Sequence, residues 1–259
     1  SMPCMMSRLT KTHYSYGAGR AEENLLDVLT HAGFHVEWFD NNTGDLGVAQ
    51  RIKSTMLTDQ KDPVSCAKGE CEDSIFFKPL QEQLNKATGN TVIVLHQIGS
   101  HGPAYFLRYS DAYERFKPAC KSAAFSDCTT DEIVNAYDNT IAFTDHFLST
   151  IIDMLKDQDK ALTAMYYVSD HGESLGENGV YLHAAPYFMA PVQQTHVPMV
   201  LWTSKPFADQ FALNDACLRG KVSAPLSHDN LFHTILGLLN VETKVHVPAL
   251  DLTDGCKNG

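Results

Sequence analysis

The chain has 259 residues, 44% of them apolar, which is enough to bury one sizeable core and argues against disorder. Its formal charge of −11 is spread without long like-charge blocks, which excludes a sequence-independent grip on nucleic acid. No run reaches the roughly 18 to 20 apolar residues that cross a bilayer, and no basic region followed by an apolar segment opens the chain, so any anchor or signal is expected outside it.

Taken in order, the segments alternate in the way that favours parallel strands joined by helices. Residues 21–32 carry Leu25, Leu26, Val28 and Leu29 at helical spacing and stop before Gly33, a C-terminal cap. Residues 34–39 read as a strand. Residues 91–98 read as a second, with Val92 to Leu95 apolar without interruption and so expected to be buried on both faces. The spacing predicts a long helix over 131–157, lined on one side by Ile133, Tyr137, Ile141, Leu148, Ile152 and Leu155. Strands are expected at 161–168 and 197–202, and a closing helix at 229–239 with Ser227 or His228 near its start. With no internal repeat, low-complexity tract or linker, residues 1–259 read as one α/β domain, a mainly parallel sheet sandwiched by helices.

Polar residues gather where the strands end: Asp40, Asn41 and Asn42 after the first, Gln97, Ser100 and His101 after the second, Asp170 and His171 after the third. The carboxyl ends of parallel strands share one edge of a sheet, where open α/β folds bind their ligands. The sharpest signal is Ser169-Asp170-His171-Gly172-Glu173-Ser174-Leu175-Gly176-Glu177-Asn178-Gly179, with His183 following a Gly-rich excursion. Carboxylate and imidazole are ordinary zinc ligands, and Gly172 is expected to let the backbone turn sharply so that both heads enter one cleft. His101 joins this group from its own loop, whereas His13, His31, His146, His196, His228 and His246 have no such context and read as structural.

Seven cysteines include two close pairs, Cys66 with Cys71 and Cys120 with Cys128, in polar loop-like sequence. Neither has the two-residue spacing of common structural zinc sites, so both read as disulfides formed in an oxidising compartment such as the periplasm. Cys217 and Cys256 are either a third bridge or two thiols. Cys4 is left over, which a secreted chain explains only if its partner lies before residue 1.

Five segments in order resemble the periplasmic catalytic domain of the lipid A phosphoethanolamine transferases, a group that includes the mobile colistin-resistance enzymes and belongs to the alkaline phosphatase/sulfatase superfamily. They are Ser1 to Ser7, Trp38-Phe39-Asp40-Asn41-Asn42, the run from His96 to Tyr105, Asn135-Ala136-Tyr137-Asp138-Asn139, and the run from Ser169 to Gly179. The resemblance implies a zinc-dependent reaction in which a threonine takes phosphoethanolamine from phosphatidylethanolamine and passes it to a lipid A phosphate, lowering the charge that polymyxins bind. It implies Asp170 and His171 as ligands of the main Zn2+, and His101 and His183 as catalytic contacts to the transferred phosphate or ligands of a second zinc. Asn42 and, near the ethanolamine ammonium, Asp111 would bind substrate. It further implies a monomer at the periplasmic face of the inner membrane, held there by an N-terminal membrane domain beyond these residues. The nucleophilic threonine, a glutamate zinc ligand, the first strand and the partner of Cys4 would also precede Ser1, so these 259 residues alone would not form the covalent intermediate. Where several relatives carry a lysine after the paired asparagines, Leu46 stands here. Two readings compete: a related metal-dependent phosphodiesterase or sulfatase-type hydrolase, and a silent zinc or headgroup-binding module.

Overall fold

Three parallel strands carry the first half of the sheet. The computed structural model describes residues 2–158, 161–183 and 185–257, so Ser1 of the first matched segment lies outside the described residues. Strand β1 (His35–Asp40) lies between β2 (Lys53–Met56) and β3 (Thr91–His96), all parallel. Later come β4 (Ala164–Val168), β5 (Ser174–Leu175), β6 (Tyr181–Leu182) and β7 (Met199–Thr203). β4 pairs with β7 and β5 with β6, both antiparallel. The expectation of parallel strands therefore holds for the first three and fails for the last pair. A parallel return needs a crossover that carries the chain back along the strand. Between β6 and β7 the described chain offers only the four-residue helix Val192–Thr195.

Alternate residues of β1 and β3 face opposite layers, as the period of a strand requires. One layer packs Val36, Trp38, Val92 and Val94 against the helices Leu25–His31 and Asp229–Leu238. The other packs Phe39, Ile93 and Leu95 against the helices Phe77–Lys86 and Thr130–Lys156. β4 contributes Tyr166 and Val168 to the first cluster and Met165 to the second, so it belongs to the same layer as β3. No ladder joins β3 to β4 among the described residues. The expectation that Val92 to Leu95 pack on both faces agrees with their division between the two layers, although every residue of β3 is partly exposed and only its β1 edge is paired among the described residues.

The Leu25–His31 helix starts at a capping box between Asn24 and Asp27. It ends where Gly33, at φ +88°, lets the Phe34 amide reach the Leu29 carbonyl. The long helix spans Thr130–Lys156 behind a second capping box, Thr129 with Glu132. Its buried stripe is Ile133, Ala136, Asn139, Thr140, Phe143, Phe147 and Ile151, and Ile141, expected inside, is 46% exposed. Strand β2 and the Phe77–Lys86 helix were not legible from periodicity. Disulfides join Cys66 to Cys71, Cys120 to Cys128, and Cys217 to Cys256, and Cys4 is free.

Candidate functional site

Buried acids tie the carboxyl ends of β1 and β3 together. Asp40 accepts hydrogen bonds from the Trp38 indole (2.9 Å), His96 Nδ1 (2.9 Å) and the Asn42 amide (2.7 Å). Burial works to raise its pKa, but those donors, led by His96, hold the carboxyl below the usual range. Asn42 Nδ2 donates to the Gln97 carbonyl at 2.8 Å, linking the two strand ends directly. Asn41 Nδ2 donates to Asp73 Oδ1 at 2.8 Å, and Asp73 also accepts the amides of Ile98 (3.1 Å) and Gly99 (2.9 Å). Complete burial pushes the Asp73 pKa up against these donors. The consequence is a rigid base for the loop that carries His101.

Beyond β4, the His228 ring donates to the Ser169 carbonyl at 2.8 Å and the Ser169 hydroxyl donates to the His171 carbonyl at 2.7 Å. The Gly172 amide donates to the Gln194 carbonyl at 3.0 Å. Gly172 is required for space rather than for an unusual turn: an added Cβ would lie 1.9 Å from the Gln193 carbonyl oxygen.

The two loops bring His101, His171 and His183 together. Ring centroids lie 3.9 Å apart for His171 and His183, 4.9 Å for His101 and His183, and 6.3 Å for His101 and His171. Each ring has an oxygen on Nδ1: the Gly102 carbonyl for His101 (2.7 Å), the Gly172 carbonyl for His171 (3.1 Å) and Glu173 Oε1 for His183 (2.9 Å). Acceptors on Nδ1 assign the proton there and leave Nε2 as the lone-pair nitrogen of all three rings. Asp170 Oδ2 lies 3.6 Å from His171 Nε2. Three imidazole nitrogens and a carboxylate form a zinc-type donor set, so the residues present fit that ion.

Among the described residues the tightest grouping joins His171, Glu173 and His183, with ligand atoms within 4.8 Å of one another. This crosses the expected division into an Asp170/His171 pair and a His101/His183 pair. Glu173 is 3% exposed and already accepts the His183 proton, so we read it as the carboxylate behind a histidine ligand rather than as a ligand itself. It also faces the Gly102 amide (3.4 Å) and the Tyr105 hydroxyl (3.5 Å), and burial followed by the Glu173 charge raises the Tyr105 pKa.

Of the two expected substrate contacts, Asn42 lies on the strand rim with its Oδ1 accepting the Thr43 amide. Asp111 lies on a separate 3-10 turn, 84% exposed and paired with Lys68 at 2.7 Å, an ammonium that lowers its pKa. Leu46 is 54% exposed at positive φ. Glu173, Asp73 and Arg108 were missed. Glu173 sits inside the strongest motif, and its spacing to His171 was the available signal. Asp73 and Arg108 act on main-chain atoms and carry none.

The Sulfatase family profile matches residues 1–241. The chain is 41% identical over 259 residues to the phosphoethanolamine transferase EptA of Salmonella typhimurium, covering 99% of itself and 47% of that protein. It is 36% identical over 249 residues to the phosphatidylethanolamine transferase Mcr-1 of Escherichia coli, covering 93% and 44%. It thus spans about half the length of these relatives. The soluble domain of lipooligosaccharide phosphoethanolamine transferase A from Neisseria meningitidis superposes with a TM-score of 0.97 at 41% identity, over 100% of this chain and 78% of that one. The integral membrane form of the same protein gives 0.97 over 100% and 49%. The chain therefore belongs to the Sulfatase family, with an alkaline phosphatase-like fold, and is similar to proteins named phosphoethanolamine transferases.

Proposed function

We propose that the chain is most of the catalytic domain of a periplasmic, inner-membrane-anchored enzyme. This enzyme moves phosphoethanolamine from phosphatidylethanolamine to a lipid A phosphate through a threonine intermediate, which confers colistin resistance. The observation that carries this is the convergence of three imidazoles, each with Nδ1 tied back, beside Asp170. The threonine, the glutamate ligand and the membrane domain belong to sequence outside these residues. No described helix is long and apolar enough to cross a membrane.

Asp170 and His171 would hold the zinc ion, with His101 and His183 at a second position or on the transferred phosphate. When bound, zinc supplies positive charge that acidifies a hydroxyl nucleophile and offsets charge on phosphoryl oxygens. His183 and His101 differ in what stands behind them. Glu173 stands behind His183 and fixes its ring through Nδ1, which leaves Nε2 for the leaving oxygen of the transferred group or for a second metal ion. The Gly102 carbonyl stands behind His101 and holds its Nδ1, which leaves Nε2 for the transferred phosphate or a metal ion. The Lys68 ammonium keeps Asp111 anionic for the ethanolamine ammonium, and Asn42 holds the rim against which the headgroup lies.

Mass spectrometry of lipid A from cells expressing the full-length gene tests the reading. Added phosphoethanolamine, with a rise in the colistin concentration tolerated, is expected. Unmodified lipid A together with rapid phosphodiester hydrolysis would overturn transfer in favour of a hydrolase.

A further inference from the structure

The small Cys66–Cys71 disulfide loop grips the segment that follows His101. Lys68 Nζ donates to the carbonyls of Phe106 (3.3 Å) and Tyr109 (2.9 Å) and pairs with Asp111. Glu70, from the same loop, pairs with the guanidinium of Arg108. Arg108 is itself almost fully buried, and its Nε donates to the His101 carbonyl at 2.8 Å. One planar fork therefore reaches a charged partner on one side and the main chain of a site histidine on the other, a geometry a lysine ammonium cannot reproduce. Just past the loop, Asp73 takes the amides of Ile98 and Gly99. The main chain at 98–101 is thus pinned by acceptors before His101 and by a donor at it.

We propose that Arg108, held by Glu70, is a positioning residue for the transfer reaction: it fixes the main chain of His101 and through it the aim of the imidazole. The inference rests on the functional reading above, in which His101 touches the transferred group or its metal. Burying a guanidinium is costly unless it is paired and hydrogen-bonded, and here its partners are an exposed acid and a site carbonyl. Packing alone would favour an apolar residue at that position.

The test uses the full-length protein in detergent, comparing wild type with Arg108→Lys and with Glu70→Gln, a change of nearly constant volume at a half-exposed side chain. Hydrogen–deuterium exchange over residues 98–102 is expected to rise by about tenfold in both, the worth of one charge-assisted bond. Exchange over residues 91–96 and 130–156 stays at the wild-type level. Transfer is expected to fall by about 10- to 100-fold in kcat for Arg108→Lys and less for Glu70→Gln, with KM within about twofold. Unchanged exchange at 98–102 overturns the proposal, as does a rise spread equally over β3 and the long helix, which marks general destabilisation. Local loosening with undiminished kcat overturns the link to turnover. Exchange is read without activity, so a wild-type protein that fails to transfer phosphoethanolamine would refute the functional reading and leave the Arg108 anchor to be judged by exchange.

Discussion

Glu173→Gln isolates the carboxylate behind His183 at nearly constant volume. In the native site Glu173 Oε1 accepts the His183 Nδ1 proton at 2.9 Å while the acid itself is 3% exposed, so little solvent screens the pair. A hydrogen bond to a charged group contributes about 1.5–3 kcal/mol and a neutral one about 0.5–1.5, so the exchange removes about 1–2 kcal/mol of support from the ring. At about 1.4 kcal/mol per factor of ten, zinc affinity at a position that includes His183 is expected to fall by about 5- to 30-fold, overlapping the roughly 10- to 100-fold lost when a histidine ligand loses its supporting carboxylate. Competition against a chelator on the full-length protein measures it. The melting temperature should move by no more than about 3 °C, because the side-chain volume beside Tyr105 and Gly102 is kept. Zinc affinity within twofold of wild type would refute the assignment of Glu173 as the group that orients His183.

Asp170→Ala or His171→Ala is expected to remove most zinc from the full-length protein, read by elemental analysis; unchanged stoichiometry would defeat the ligand assignment. His233, fully buried on the Asp229–Leu238 helix, accepts the Val247 amide on Nδ1 at 3.1 Å and bonds the Arg8 backbone. Burial first and His246 second hold its pKa below the ordinary 6.5, against the Arg8 bond, Asp251 and Asp229. The folded state therefore binds fewer protons than the unfolded one between the two pKa values. Stability is complete above about pH 6.5 and is lost as pH falls through that window. Melting temperatures recorded from about pH 5 to 8 should show this slope, and His233→Asn should flatten it; an identical slope in the variant would refute the cause.

What the sequence made legible follows from how each residue is held. His101, Asp170 and His171 could be placed because strand ends converge on one rim whatever the details of the loops between them. The long helix was legible from the spacing of its apolar residues, but the row Ile133, Tyr137, Ile141 drifts off the buried stripe. Asn139 and Thr140 lie inside that stripe: Asn139 Oδ1 accepts the amides of Arg115 and Phe116 at 2.7 and 2.8 Å. A polar side chain that satisfies a loop from within the core is invisible to hydrophobic periodicity. Strand β2, Lys-Ser-Thr-Met, hides for the opposite reason. It is a four-residue edge strand with no apolar alternation, and the ion pair it makes to β1, Lys53 with Glu37, exists only once the strands are in register. The Phe77–Lys86 helix starts directly out of the 3-10 turn Asp73–Phe76 without a side-chain cap, so the usual N-cap signal is missing.

The same distinction separates the residues of the site that could be read from those that could not. A ligand must present a particular head group, so its identity is written in the residue type. The groups that aim it meet main-chain carbonyls and amides, which every sequence possesses. Asp73 serves the Ile98 and Gly99 amides and Arg108 serves the His101 carbonyl, and neither contact leaves a mark on the residues it serves. A search for conserved chemistry at the rim would find three histidines and an acid. The buried acids and the guanidinium that hold the main chain beneath those side chains become visible only when the chain is folded.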